Sequence, residues 1–275
     1  MEDEKLVLLR ERLKSLGRIV VAFSGGTDSS FLMKVAAEVL GTDAVAVTAC
    51  LDSFPEREFL RAKNFCEKEN IIHHALKVDV FSIQGFAENP KNRCYVCKRG
   101  IFSRLKEFAS ENGIRYVCDG TNADDEKDYR PGVKALSELG ILSPLRDLGF
   151  TKNEIRLYLH DMNPELSIMP GSPCLASRVP YDEKITREKL DMIQRAENFL
   201  YDRGFTDCRV RFHTMPRGNI ARIEILPGEG EKALFFRNEI CDKFESLGFN
   251  YVSLDLRGFR SGSLNEVLNE CERGE

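Results

Sequence analysis

Two stretches of this chain carry residue types at spacings that chemistry can use. The first is Ser24-Gly25-Gly26-Thr27-Asp28-Ser29-Ser30. Gly25 and Gly26 let backbone approach a phosphate with no Cβ in the way. Ser24 and Ser29 add hydroxyl donors, and Asp28 can hold a magnesium ion beside phosphate oxygens. The loop is not a Walker A motif, which needs a Lys-Ser/Thr pair after its second glycine. The second stretch is Cys94-Tyr95-Val96-Cys97. A CxxC pair is half of a zinc site, a redox pair or a coincidence. Zinc would need two more ligands, and no second CxxC or chelating His pair is present. His73 and His74 are adjacent, so in a strand they point to opposite faces.

The elements that must position these residues follow from hydrophobic patterning. Arg18–Phe23 reads as a buried parallel strand, and 31–40 as a helix closed by Gly41. Strand, glycine turn and helix N-terminus together make an anion site. An N-terminal helix is expected over 4–16, with Leu6, Leu9, Leu13 and Leu16 on one face. Further strands are expected at 44–49, 73–78 and 115–118, and helices at 55–70, 98–112, 132–139 and 151–162. The last starts at a Thr151-x-x-Glu154 capping box. Residues 79–97 read as irregular. Alternating strands and helices predict a parallel α/β sheet covered on both faces. Ligands then bind at the carboxyl ends of the strands, where the Ser24 loop and Asp119-Gly120-Thr121-Asn122-Ala123-Asp124-Asp125 both lie.

Pro164, Pro170, Pro173 and Pro180 mark a long connection. Beyond it the pattern reads helix (185–203), strand (208–213), strand (219–226), helix (230–247), strand (249–255): a smaller α+β unit with an antiparallel sheet, ferredoxin-like in outline. The division is 1–180, 181–262 and a polar tail at 263–275. In the strand from 208, Arg209, Arg211 and His213 share one face, and Val210 and Phe212 the other. In the next, Arg222 and Glu224 are the polar face. Such a face is either the wet side of a half-buried sheet or an arginine platform for phosphate and carboxylates.

Composition sets bounds. The chain has 275 residues, 42% hydrophobic and 31% charged, and a net charge of −4. No apolar run has membrane-spanning length, and the acidic N-terminus is unlike a signal peptide, so a cytoplasmic protein is expected, with no membrane partner. No basic footprint points to nucleic acid. Nine cysteines over this length do not form a disulfide framework. Cys50, Cys66, Cys118 and Cys241 lie in or beside apolar runs, and most of them read as small core residues. Cys208 reads as a strand residue, and Cys271 lies in the tail.

The Ser24 loop resembles the SGGxDS loop of the PP-loop ATP pyrophosphatases. That resemblance implies cleavage of ATP between its α and β phosphates. Gly171-Ser172-Pro173-Cys174-Leu175-Ala176-Ser177-Arg178 sharpens it. With Asp119–Asp125, Asp128-Tyr129-Arg130-Pro131-Gly132 and Ser143-Pro144-Leu145, it stands in the same order as in the LarE family, over roughly residues 5 to 260. These are ATP-dependent sulfur transferases that help build the nickel-pincer nucleotide. The resemblance implies ATP and Mg2+ at Ser24–Ser30 with Gly120, Thr121 and Asn122. The acceptor it implies is a small nucleotide, pyridinium-3,5-biscarboxylic acid mononucleotide. It implies that Cys174 delivers sulfur, either by sacrificing its own atom or, with Cys94 and Cys97, by holding a [4Fe-4S] cluster. Three thiolates in two segments fit a cluster with one open iron. It matches Arg209, Arg211 and Glu224 to residues near that cysteine; Glu197, on the preceding helix, is a lesser candidate, and Arg178 stands beside Cys174. A homo-oligomer is expected. A tRNA thiolation enzyme is the alternative, but no added RNA-binding module is evident. An ammonia-using ligase leaves Cys94, Cys97 and Cys174 without a role.

Overall fold

The computed structural model describes residues 4–127, 131–162, 174–260 and 262–267. Asp128, Tyr129, Arg130, Pro164, Pro170, Gly171, Ser172, Pro173 and Cys271 lie outside the described residues. The chain divides into two compact units, Met1–Gln84 with Asn92–Ser172, and Gly85–Lys91 with Pro173–Glu275.

The first unit is built on β1 (Ile19–Ala22), β2 (Ala44–Cys50), β3 (Ile72–Lys77) and β4 (Tyr116–Cys118). They pair in the order β3-β2-β1-β4, parallel throughout. Strand alternation explains the two-sided core. Ile19 and Val21 turn towards Leu9 and Leu13 of α1 (Glu4–Leu16), Phe31 and Leu32 of α2 (Thr27–Leu40) and Ile155 and Leu159 of α7 (Lys152–Met162). Val20, Val45, Val47 and Val117 turn the other way, onto Phe102 and Leu105 of α4 (Arg93–Glu111) and Leu136 of α5 (Pro131–Glu138). α3 (Glu56–Lys68) links β2 to β3, and a short α6 (Pro144–Asp147), absent from the sequence pattern, follows α5. The capping box forms: the Thr151 amide donates to Glu154 Oε2 at 2.7 Å, and the Glu154 amide donates to Thr151 Oγ1 at 3.3 Å. No described helix is long and apolar enough to cross a membrane.

Strand order creates the site. From β1 the chain moves outward through β2 and β3, then returns to the opposite side of β1 for β4. The crevice between the carboxyl ends of β1 and β4 is a topological switch point, where open α/β sheets bind ligands. The Ser24 loop leaves β1 there and the Asp119 loop leaves β4 there.

Two sequence expectations about the first unit change. α2 begins at Thr27, so half of the phosphate-loop motif is already helix. α4 begins at Arg93, placing Cys94 and Cys97 on its first two turns instead of in an irregular segment. Nothing between Asn92 and Lys98 breaks a helix, so the amphipathic stretch simply extends backwards.

The second unit carries β5 (Arg209–Met215), β6 (Gly218–Glu224) and β7 (Tyr251–Leu254), with α8 (Arg187–Asp202), α9 (Gly230–Phe235) and α10 (Arg237–Ser246). The sheet is mixed: β5 and β6 are antiparallel, β6 and β7 parallel. An all-antiparallel sheet was the expectation. The helical connection between β6 and β7 is a crossover, the connection that parallel neighbours need. The helix expected over 230–247 is broken at Phe236. The segment 85–91 is fixed here by Asn89. Its side-chain amide donates to the carbonyls of Val179, Pro180 and Glu183 at 3.3, 2.6 and 3.0 Å.

Phe31 is fully buried, and its ring lies 5.5 Å from that of Tyr158 and 5.7 Å from that of Phe150. Replacing it with alanine is expected to cost the first unit about 3–5 kcal/mol. The midpoint of its urea transition measures this, and a loss below about 1 kcal/mol would contradict the packing described.

Candidate active site

Close approach governs the phosphate site. Gly25 has φ +71°, a conformation that side chains disfavour, and an added Cβ would sit 3.0 Å from Cβ of Ala62 on α3. Gly26 caps α2 without help from any side chain. Ser24 Oγ accepts from the Gly26 amide at 3.3 Å and lies 3.1 Å from Ser29 Oγ, which also donates to the Gly26 carbonyl. Ser30 is fully buried, with its hydroxyl lacking a partner. The helix ladder begins with Ser30 N–H to Gly26 O at 2.9 Å, so the amides of Thr27, Asp28 and Ser29 precede it.

The Asp119 loop forms the other wall. Gly120 lies so close to α2 that a Cβ would fall 2.8 Å from Ser29 N. Asn122 Nδ2 donates to Asp28 Oδ2 at 3.0 Å. Asp119 is buried and accepts from the hydroxyls of Thr121 and, at 2.6 Å, Ser143. Gly120, Thr121 and Asn122 are thus brought against the Ser24 loop. Asp119 and Ser143 complete that wall although only motif order pointed to them. A helix N-terminus backed by glycine, with a carboxylate on its first turn, can hold phosphates and a metal.

None of the eight described cysteines is in a disulfide. Burial pushes the thiols of Cys66 and Cys118 up to about 12, with Glu67 and Asp119 adding to it. Those thiols are inert, as core residues should be. Cys208 is fully buried too, but it lies one residue before β5 and not within the strand. By contrast Cys94 is exposed and Cys97 and Cys174 are half-buried, as are Cys50 and Cys241, which their apolar surroundings in sequence group with the core. Cys94 and Cys97 belong to the first unit and Cys174 to the second. Within neither unit do the described residues gather three or more His, Cys, Asp or Glu as a metal site.

In the second unit Cys174 opens a single 3-10 turn, Leu175–Arg178. Its carbonyl accepts from Ser177 Oγ at 2.7 Å and from Arg178 Nη1 at 3.4 Å, so Arg178 reaches Cys174 through its backbone. Arg178 is 1% exposed and pairs in two-pronged fashion with Glu197 at 2.8 and 3.0 Å. Burial works against the arginine's charge, but Glu197 more than offsets it and raises the pKa. Glu197 Oε1 also accepts from the Val210 amide at 3.0 Å, tying turn, helix α8 and β5 together.

Arg209 and Arg211 share a face with His213, as the alternation predicts, but that face is covered rather than wet: the two arginines are 3% and 5% exposed. Arg211 donates to Glu224 Oε2 at 2.8 and 3.1 Å, to the Ser177 carbonyl at 2.7 Å and to Ser263 Oγ at 2.9 Å. Burial lowers its pKa, and Glu224 restores only part. Arg209 donates to Asp207 and to the Cys208 carbonyl, both at 2.7 Å, and stacks on Phe259. Glu224 is fully buried and shared with Arg222 at 2.9 Å. Burial, then Arg222, lowers the His213 pKa. Sequence reading missed Ser263, which it left in a polar tail, and Asn89. Both act on residues far away in the chain, so no local pattern marks them.

With this geometry in view, comparison with known proteins is informative. The asparagine synthase family matches residues 8–83, which include the Ser24 loop. Pyridinium-3,5-bisthiocarboxylic acid mononucleotide synthase of Lactiplantibacillus plantarum is 37% identical over 269 residues, covering 98% of this chain and 96% of that one. An uncharacterized protein of Synechocystis is 39% identical over 272 residues, covering 98% and 100%. One of the subunits of the glutamine-hydrolyzing GMP synthase from Thermoplasma volcanium is 29% identical over 195 residues, 65% of this chain and 61% of that one.

The Arg178–Glu197 pair gives a direct check on what holds the cysteine turn. Arg178→Ala strands a buried carboxylate and is expected to cost about 3–5 kcal/mol of stability, read from chemical denaturation. An Arg178→Met/Glu197→Gln double variant should recover part of that loss, since it leaves no buried charge stranded and keeps an acceptor for the Val210 amide. Equal stability of the alanine variant and the unchanged protein would contradict the arrangement.

Proposed function

Because the chain belongs to the family of pyridinium-3,5-bisthiocarboxylic acid mononucleotide synthases, we propose a two-step route in which its two units divide the work. The chain is an ATP-dependent sulfurtransferase of nickel-pincer nucleotide biosynthesis. A carboxylate is a poor electrophile and its oxygen a poor leaving group, and transfer of AMP corrects both faults. In the first step a carboxylate oxygen of the acceptor bonds to the α-phosphorus of ATP, and the bond to pyrophosphate breaks. In the second step sulfur bonds to the acyl carbon, and AMP leaves with the original carboxylate oxygen. The acceptor is pyridinium-3,5-biscarboxylic acid mononucleotide, met in the cytoplasm.

The observation that carries this reading is the glycine-backed loop at the switch point, with the Asp28 carboxylate presented on the first turn of α2. Ser24, Gly25, Gly26, Thr27, Ser29 and Ser30 cradle the phosphates, with Gly120, Thr121 and Asn122 as the facing wall. Asp28 holds the magnesium ion. The first unit carries the adenylating site, and the second, to which Cys174 belongs, the sulfur-transfer site. There Arg211 and Glu224 support the turn that carries Cys174, and Arg209 adds positive charge on the same strand face.

Cys94, Cys97 and Cys174 would hold a [4Fe-4S] cluster. The donor set fits it by type: three soft thiols, exposed or half-buried, an accessibility that Cys50 and Cys241 share. When bound, such a cluster supplies an open iron able to carry an extra sulfide.

Asp28→Ala should remove most AMP and pyrophosphate formation while leaving the fold intact, and ADP as the product would contradict the reading. Anaerobic purification with iron and sulfide analysis, and mass spectrometry across residue 174, tests the sulfur source. About four irons per chain and an intact Cys174 after turnover are expected. A colourless protein with dehydroalanine at 174 would mean that the cysteine gives up its own sulfur.

A further inference from the structure

We infer that Thr48 and His73 are positioning residues: a relay from His73 Nε2–H to the Thr48 hydroxyl to the Phe23 carbonyl fixes the peptide that enters the phosphate loop and holds the loop in its nucleotide-binding form. The inference rests on the nucleotide reading of the Ser24 loop above and adds two residues outside that loop.

Thr48 interrupts the aliphatic run of β2 and is 1% exposed. A buried hydroxyl needs partners, and this one has two. It donates to the Phe23 carbonyl at 2.7 Å and lies 2.8 Å from His73 Nε2. Register brings the pair together. His73 of β3 stands opposite Ala46 of β2, two residues before Thr48 and so on the same face.

Chemistry fixes the direction of the relay. A carbonyl oxygen has no proton, so the single Thr48 proton must lie between the two oxygens. Thr48 can then only accept from the ring, and Nε2 must carry a proton. Burial lowers the His73 pKa, with His74 and Lys63 acting the same way and Glu67 against them, so the ring is neutral at neutral pH. It is therefore the Nε2–H tautomer. The rings of Phe23 and Phe59 flank it, with centroids 6.3 and 6.0 Å away.

What the relay holds is the peptide at the mouth of the loop. The Phe23 amide donates to Val47 O at 2.9 Å, and Thr48 takes the Phe23 carbonyl on the same side, that of β2. Across a trans peptide the Ser24 N–H points the opposite way, to the side of β1 on which β4 lies. That is the crevice side. Gly25 follows at φ +71°, and a glycine there does little to resist rotation of the peptides around it. The side-chain bond to Phe23 selects one orientation of a turn that glycine leaves soft. A loop already held in its binding form needs no reordering when nucleotide arrives.

The test has two parts. Long-range proton–nitrogen NMR of the unchanged full chain should show the neutral His73 ring protonated at Nε2. The chain has four histidines, and the signal lost in His73→Gln identifies the right one. A neutral ring protonated at Nδ1 would overturn the relay. Equilibrium binding of ATP with magnesium to the full chain reads its effect. Thr48→Val is expected to weaken ATP roughly threefold to tenfold, the range for one neutral hydrogen bond. His73→Leu should weaken it about threefold, and His73→Gln, whose side-chain amide can donate to Thr48, should restore it. In the Thr48→Val background His73→Leu should leave ATP affinity almost unchanged, because its action runs through the hydroxyl. Thermal unfolding checks that each variant is folded. Should Thr48→Val prove unstable, the contrast of His73→Leu with His73→Gln and the tautomer decide. A lower melting temperature with unchanged ATP affinity would overturn the proposal, because the relay would then only tie the sheet together. Equal losses from His73→Leu in both backgrounds would overturn it as well. No ATP binding by the unchanged protein would instead overturn the nucleotide reading, and this proposal with it.

Discussion

Backbone touches backbone where Gly120 meets Ser29, and a single methyl group would not fit between them. Much of the first unit can be understood as the means of reaching that contact. Two parallel strands must lie side by side for their loops to meet, and each must be buried on both faces to stay in register. The alternation of Ile19 and Val21 against Val20 achieves this for β1. The return of the chain across β1 to form β4 opens the crevice, and Gly25, closing on Ala62, lets the loop turn within it. The outcome is a row of helix amides beside a carboxylate held by an amide from the opposite wall. That juxtaposition can stabilise phosphate charge without a lysine.

The second unit solves a different problem with charges rather than glycines. A cysteine proposed to deliver sulfur needs access, and an accessible turn is poorly held by hydrophobic burial. Here the turn after Cys174 is held from beneath by Arg178 on Glu197 and by Arg211 on Glu224, with Arg211 also binding the Ser177 carbonyl. Each ion pair is costly to desolvate, and two-pronged geometry with further hydrogen bonds offsets that cost. Ser263 and the Val210 amide supply some of those bonds. The sulfur stays half-buried while its backbone is fixed.

How much of this was legible beforehand depended on sequence distance. Elements with strong periodicity, such as α1 and the strands around Val20 and Val45, were readable, because one side of each residue's environment is set by its near neighbours. The phosphate loop was readable because Gly25 and Gly26 answer a local steric need. The parallel pairing of β7 was not deduced, although the helical connection before it allows that topology. The covering of Arg209 and Arg211 was hidden more deeply. Alternation places both on one face, but what buries Arg211 is a turn 34 residues earlier and a serine 52 residues later. Asn122 stood inside a recognisable motif, yet its partner Asp28 is 94 positions away. Local pattern names the residues; only the fold says which of them face each other.

The central claim is that AMP leaves carrying an oxygen that began on the acceptor. Label both carboxylates of the pyridinium mononucleotide with oxygen-18, run a single turnover with unlabelled ATP, and weigh the AMP. The account predicts one heavy oxygen in the phosphate of each AMP released per thiocarboxylate formed, with none in pyrophosphate. Unlabelled AMP beside a normal yield of thiocarboxylate would contradict it.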